Sequence, residues 1–197
     1  MLPAVALIGR PNVGKSTLFN RLTGTRDALV ADYPGLTRDR LYGFTHPGLP
    51  PFIVVDTGGL TGDSDDMSRL MDRQVDLAVA EADLVLLLVD GVEGLTAGDE
   101  YVANRIRKTG KPIILVVNKA ERRDANQLVP DFYSLGLDDP SVISADRGDG
   151  VAALVERLMV QLPASEPGER RSAPEGMKIA VVGRPNVGKS TLVNQLV

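Results

Sequence analysis

Nine residues, GRPNVGKST, occur twice in this chain, at Gly9–Thr17 and at Gly183–Thr191, each directly after a short apolar run. Both copies fit G-x-x-x-x-G-K-[ST]. In that loop backbone N–H groups surround phosphate oxygens, the Lys reaches the terminal phosphates and the hydroxyl ligates magnesium. The preceding runs, Ala4–Ile8 and Ile179–Val182, read as buried parallel strands, which supplies the strand-loop-helix context the motif needs. A Gly-rich turn with an incidental Lys-Ser explains one such match but not two identical ones behind matching strands. The repeat therefore implies an α/β domain built around an anion-binding loop, with a second such loop near the end of the chain.

A length of 197 residues accommodates one full-sized domain and a remainder. Only six residues follow Thr191, so the second copy reads as the start of a domain that is not completed here. Between them, residues 164–175 (ASEPGERRSAPE) mix Pro, Gly, Ser and charge without apolar periodicity, as a linker does. The expected organisation is a first domain over 1–163, a linker over 164–176 and a truncated second domain over 177–197. That last piece lacks a sheet to join and is expected to be disordered or to pack opportunistically, and to bind no nucleotide by itself.

Strand-like apolar runs alternate with helix-period segments through the first domain, the pattern of a doubly wound α/β fold. Strands are expected at Ala4–Ile8, Leu41–Thr45, Phe52–Asp56, Leu84–Asp90, Ile113–Asn118 and Ser141–Ser144. Helices are expected at Thr17–Thr23, Met67–Glu81, Gly98–Thr109, Gln127–Ser134 and Val151–Leu162. Met67, Leu70, Met71, Val75, Ala78, Val79 and Ala82 recur at helical spacing and read as a core stripe. Composition excludes several function classes. A net charge of −4 gives no basic footprint for nucleic acid. There is no cysteine and no apolar run near the ~18 residues that suggest a membrane helix. A cytoplasmic monomer with no membrane partner is the expectation.

In the first loop, Gly9 ends the strand, Gly14 lets backbone approach a phosphate, and the following helix points its positive end at the anion. All nine residues, Gly9, Arg10, Pro11, Asn12, Val13, Gly14, Lys15, Ser16 and Thr17, are candidate nucleotide contacts. Lys15 is the point charge between terminal phosphates and Ser16 the magnesium ligand. The Arg10 side chain is expected to face solvent. Further along, Asp56-Thr57-Gly58-Gly59 ends a strand, where an Asp faces the ligand crevice. Asp56 is expected to hold magnesium, usually through a water, and the Gly59 N–H to contact a γ-phosphate.

Asn118-Lys119-Ala120-Glu121 follows a strand and resembles the N-K-x-D signature of guanine-specific GTPases. That resemblance implies a carboxylate that accepts from the guanine N1–H and amino group, a Lys stem over the base, and an Asn that ties the loop to the phosphate loop. Here Glu121 stands where the signature has Asp. Ser144-Ala145 resembles the S-A element, whose backbone N–H meets the guanine O6.

Together with Pro34-Gly-Leu-Thr37-Arg-Asp39, DTGG and their spacing, the paired GRPNVGKST is similar to the EngA (Der) family, bacterial GTPases with two tandem G domains. The resemblance covers Ala4–Leu162 and resumes at Lys178. It implies a P-loop NTPase G domain: three layers, doubly wound, with a mostly parallel six-stranded sheet and one antiparallel edge strand. It also implies GTP and GDP as ligands, magnesium as cofactor, and a role in assembly of the large ribosomal subunit. Thr37 lies in the implied first switch loop, where it binds magnesium and γ-phosphate in the GTP state. A second switch is implied in Gly59–Ser68.

Leu60 stands where Ras-like GTPases place a water-orienting Gln. In related GTPases with this substitution a potassium ion beside the phosphates stands in for the arginine finger. An Asn of the phosphate loop, at the position of Asn12, helps to hold it. The implied catalytic set is Lys15, Thr37, Asn12 and Gly59, with Ser16, Thr37 and Asp56 on magnesium and Asn12 on potassium. Two alternatives stay open at this point. Leu60 is compatible with a guanine-nucleotide-binding module of negligible hydrolysis, and Glu121 with an ATP-using P-loop enzyme.

Overall fold

The computed structural model describes residues 2–24, 41–57, 75–122 and 128–163. All of these belong to one of the two units into which the chain divides, Met1–Pro167. Six strands, β1 (Ala4–Ile8), β2 (Leu41–Phe44), β3 (Ile53–Asp56), β4 (Leu84–Asp90), β5 (Ile113–Asn118) and β6 (Ser141–Val142), form one sheet in the order β2-β3-β1-β4-β5-β6. Every pairing is parallel except β2 with β3, which closes the edge as an antiparallel hairpin. The chain runs outward from β1 to that edge and returns to β4 on the other side. Strand order thus reverses at β1, and in such sheets ligands bind beyond the carboxyl ends of the strands at the reversal.

Helices cover both faces: α1 (Lys15–Thr23), α2 (described over residues 75–81), α3 (Ala97–Arg107) and α4 (Val151–Gln161). Alternation along the strands sorts the core into two layers. Val5 and Leu7 of β1 join Leu18, Phe19 and Leu22 of α1 and Leu154, Val155 and Leu158 of α4 on one face. Ala6 and Ile8 join Val75, Ala78 and Val79 of α2 and Val102 and Ile106 of α3 on the other. All seven residues of β4 are buried, as the continuous apolar run of a strand covered on both faces requires. Phe19, Phe52 and Phe132 are fully buried, each worth about 2–3 kcal/mol of transfer free energy.

The expected three-layer sheet with one antiparallel edge strand is the observed fold. Local differences have local causes. The helix expected over Gln127–Ser134 is a 3-10 helix at Pro130–Leu135 in its described part. Pro130 has no N–H to donate and fits a first turn, and Gly136 ends the segment in the left-handed region at φ 62°. The strand expected to reach Ser144 stops at Val142, because the Ser144 N–H bonds to the Asp149 carbonyl in a turn instead of to a neighbouring strand. Met67, Leu70 and Met71, the linker 164–176 and the segment 177–197 lie outside the described residues. No helix among the described residues is long and apolar enough to cross a membrane.

Candidate functional site

The carboxyl ends of β1, β3, β4 and β5 bring four loops together. After β1, residues 9–14 turn tightly, with Asn12 at φ 66° and Gly14 at φ 99°. Gly14 is the N-cap of α1, which has no side-chain cap and no acidic residue in its first turn. Open N–H groups and the positive end of the helix dipole therefore face the crevice unopposed. The contrast with α3 is direct, since Thr96 and Asp99 close its N-terminus in a reciprocal capping box.

Lys15 sits at this uncapped end and is only 8% exposed. Its ammonium donates to the Gly9 and Arg10 carbonyls, each at 2.8 Å. Burial pushes its pKa below the usual lysine value, against the raising influence of Asp56. A buried ammonium held by neutral carbonyls beside open N–H groups is an arrangement suited to an anion. One residue on, Ser16 Oγ donates to Asp56 Oδ2 at 3.0 Å, which brings two hard oxygen donors from α1 and β3 together. Thr57 Oγ1 donates to the Leu7 carbonyl at 2.8 Å and keeps the β3 end against β1.

At the other end of the crevice, Asn118 is buried and bridges two loops. Its Nδ2 donates to the Val13 carbonyl at 2.9 Å, and its Oδ1 accepts from the Ala145 N–H at 2.9 Å. Gly14 makes the first contact possible: a Cβ there would lie 2.2 Å from Asn118 Nδ2, and its φ of 99° already disfavours any other residue. Lys119 takes φ 66° and pairs with Asp90 at the end of β4, 2.5 Å from Oδ2. Burial works to raise the Asp90 carboxyl, but the Lys119 ammonium and the N–H groups of Val92 and Glu93 outweigh it and hold the pKa below the ordinary carboxylate range. Glu121 is half-buried in the 3-10 turn Ala120–Arg122. Ser144 is buried, and its Oγ accepts from the Arg147 N–H.

Of the expected site residues, Gly9 to Thr17, Asp56, Thr57, Asn118, Lys119, Glu121, Ser144 and Ala145 converge on this crevice. Thr37, Gly58, Gly59, Leu60 and the second GRPNVGKST lie outside the described residues. The Ala145 N–H is donated to Asn118 Oδ1. One feature differs from the sequence reading. Arg10, expected in solvent, forks onto Glu93 at 3.1 and 3.3 Å and donates Nε to Asp99 at 2.9 Å. Two supporting residues lie outside the set expected from sequence. Arg21 of α1 donates to the carbonyls of Ala145 and Asp146, and Asp90 braces Lys119. Only Asp90, a carboxylate ending a buried strand, carried a readable signal. No cluster of three or more His, Cys, Asp or Glu residues suited to a metal occurs among the described residues.

Comparison with known proteins agrees with this fold. A family profile described as 50S ribosome-binding GTPase matches residues 4–119 and 178–197. A protein named GTPase Der from Nitrosococcus oceani is 55% identical over 192 residues, covering 98% of this chain and 41% of its own length. The chain thus spans about two fifths of the length of that curated relative. Among solved structures, an Era variant from Aquifex aeolicus bound to GDP.AlF4- superposes with a TM-score of 0.65 at 31% identity. It covers 84% of this chain and 58% of its own. Era in complex with MgGDPNP and a segment of 16S ribosomal RNA gives a TM-score of 0.66 at 31% identity, with the same coverage.

Proposed function

The chain belongs to the family of 50S ribosome-binding GTPases, and from that premise we propose that its residues 1–163 form a magnesium-dependent GTP hydrolase domain acting as a molecular switch. The observation that carries the proposal is the buried Lys15 ammonium on neutral carbonyls at the uncapped N-terminus of α1. In this reading Gly9–Thr17 cradle the phosphates, and Lys15 exchanges its carbonyl partners for phosphate oxygens. Asn118, Lys119, Glu121, Ser144 and Ala145 take a guanine. Residues 164–176 are a linker to a second domain that begins at 177.

The donor set fits magnesium. Ser16 and Asp56 offer hard oxygens already 3.0 Å apart, and such ions favour carboxylate and hydroxyl ligands completed by water and phosphate. Thr37 is the further ligand proposed for the GTP state. The bound ion would neutralise charge on the phosphates. The chain's own contribution is positional: the loop backbone fixes the nucleotide, Lys15 places positive charge at its terminal phosphates, and the Gly59 N–H meets the γ-phosphate. Asn12, at φ 66°, is the proposed protein ligand for potassium, with carbonyls of the first switch completing the set. The family's description as a 50S ribosome-binding GTPase supports a role at the large ribosomal subunit, which in this reading is its assembly.

Phosphate release from GTP in potassium and in sodium at equal ionic strength tests the potassium ligand. Turnover is expected to fall on the order of a hundredfold in sodium, the scale on which lost transition-state charge stabilisation acts. Asn12→Ala is expected to abolish the difference. Equal rates in both salts would remove Asn12 from the catalytic set, and tight GDP binding without turnover in either salt would reduce the domain to a binding module.

A further inference from the structure

The Arg10 side chain leaves the phosphate loop for the N-terminus of α3 and the loop before it. Its Nε donates to Asp99 Oδ1 at 2.9 Å, and its two terminal nitrogens fork onto Glu93 at 3.1 and 3.3 Å. The Asp99 side chain is fully buried. Its other oxygen, Oδ2, accepts from the Thr96 N–H at 3.1 Å and from Thr96 Oγ1 at 2.8 Å. A capping carboxylate on a surface helix keeps contact with water and needs no cation. One that is wholly buried is stable as an anion only if a charge partner is supplied, and Arg10 supplies it. Gly98 makes room for the crossing, since a Cβ there would lie 2.7 Å from Arg10 Cδ.

The same residue faces the crevice through its backbone, because the Arg10 carbonyl is one of the two acceptors that hold Lys15. Arg10 thus has its side chain fastened to α3 and its carbonyl fastened to the phosphate-binding ammonium. We propose that Arg10 is a positioning residue for the nucleotide phosphates, a strut that fixes the phosphate loop to the N-terminus of α3 through Asp99. Its side chain touches neither phosphate nor the transition state, while its backbone remains part of the loop that cradles the phosphates. Glu93 adds a second anchor from the β4–α3 loop, whose own conformation is held by the Asp90 carboxylate accepting from the Val92 and Glu93 N–H groups at 2.8 and 3.2 Å. This inference rests on the nucleotide site proposed above.

The test is a set of GDP and IDP titrations on the full chain, with R10A, D99N and the double variant R10A/D99N, each checked by thermal melting. Removing the strut loosens the phosphate end alone. GDP affinity is therefore expected to fall roughly tenfold in both single variants, the lower end of what supporting residues behind a ligand cost. The double variant, in which no buried charge is left unpaired, is expected to be no weaker than either single one, as for two ends of one interaction. The GDP-to-IDP ratio is expected to stay at its original value, since the base end is untouched. A purely structural role would lower the melting temperature and leave GDP affinity alone. A large loss in R10A with none in D99N would make Arg10 a direct phosphate ligand. Either result overturns the strut. If D99N fails to fold, E93Q is expected to show a smaller loss with the same unchanged ratio, and no loss there overturns the proposal as well. Failure of the unmodified chain to bind GDP would instead overturn the nucleotide-site reading on which the strut depends.

Discussion

Lys15→Ala is expected to lower GDP and GTP affinity by about a hundredfold or more, measured by calorimetric titration, while leaving the apo protein as stable as before or more so. The two halves of this expectation have one origin. The ammonium is buried on the Gly9 and Arg10 carbonyls, and burial holds its pKa below the usual lysine value. A group whose folded pKa is depressed in this way binds fewer protons folded than unfolded. Near neutral pH its charged form therefore opposes folding, and stability rises with pH as the window between the two pKa values is crossed. Removing the charge relieves that cost. A phosphate reverses the balance, because losing one partner of a buried charge pair costs about 2–5 kcal/mol of binding. A variant that loses both affinity and stability would show that Lys15 is a structural residue and not a charge waiting for an anion.

Asn118→Ala is expected to destabilise the domain by on the order of 3 kcal/mol and to abolish measurable guanine-nucleotide binding. The side chain satisfies the Val13 carbonyl of the phosphate loop and the Ala145 N–H of the loop after β6. Its removal orphans two backbone groups, each costing about 1–3 kcal/mol when buried. It also uncouples the phosphate end of the crevice from the base end, so the loss includes nucleotides that lack guanine. Chemical denaturation gives the first number and titration with GDP and IDP the second. Retained affinity in a destabilised protein would confine Asn118 to the fold.

Much of this was legible in the chain because it is local. The continuous Val/Leu/Ile-rich runs of β4 and β5 have the length and composition of strands buried on both faces, and the loop Gly9–Thr17 declares its conformation through two glycines and a lysine at fixed spacing. The role of Asp99 as a partner of Arg10 is not local. That role depends on Arg10, which lies 89 residues earlier and meets it only once β1 and β4 pair side by side. The bridge from Asn118 to Val13 spans 105 residues and depends on the same strand order. The resemblance to a GTPase signature anticipated that bridge, whereas nothing local did. The helix expected over Gln127–Ser134 gives way to the 3-10 segment at Pro130–Leu135, because Pro130 and Gly136 leave room for less than two turns of α-helix.

The central claim is that this crevice takes and cleaves a guanine nucleotide. It is tested most directly by phosphate release from GTP and from ATP by the full chain, with magnesium present and with it chelated. The account predicts steady release from GTP that requires magnesium, and none above background from ATP. Equal release from the two nucleotides, or release from GTP that persists without magnesium, would contradict it.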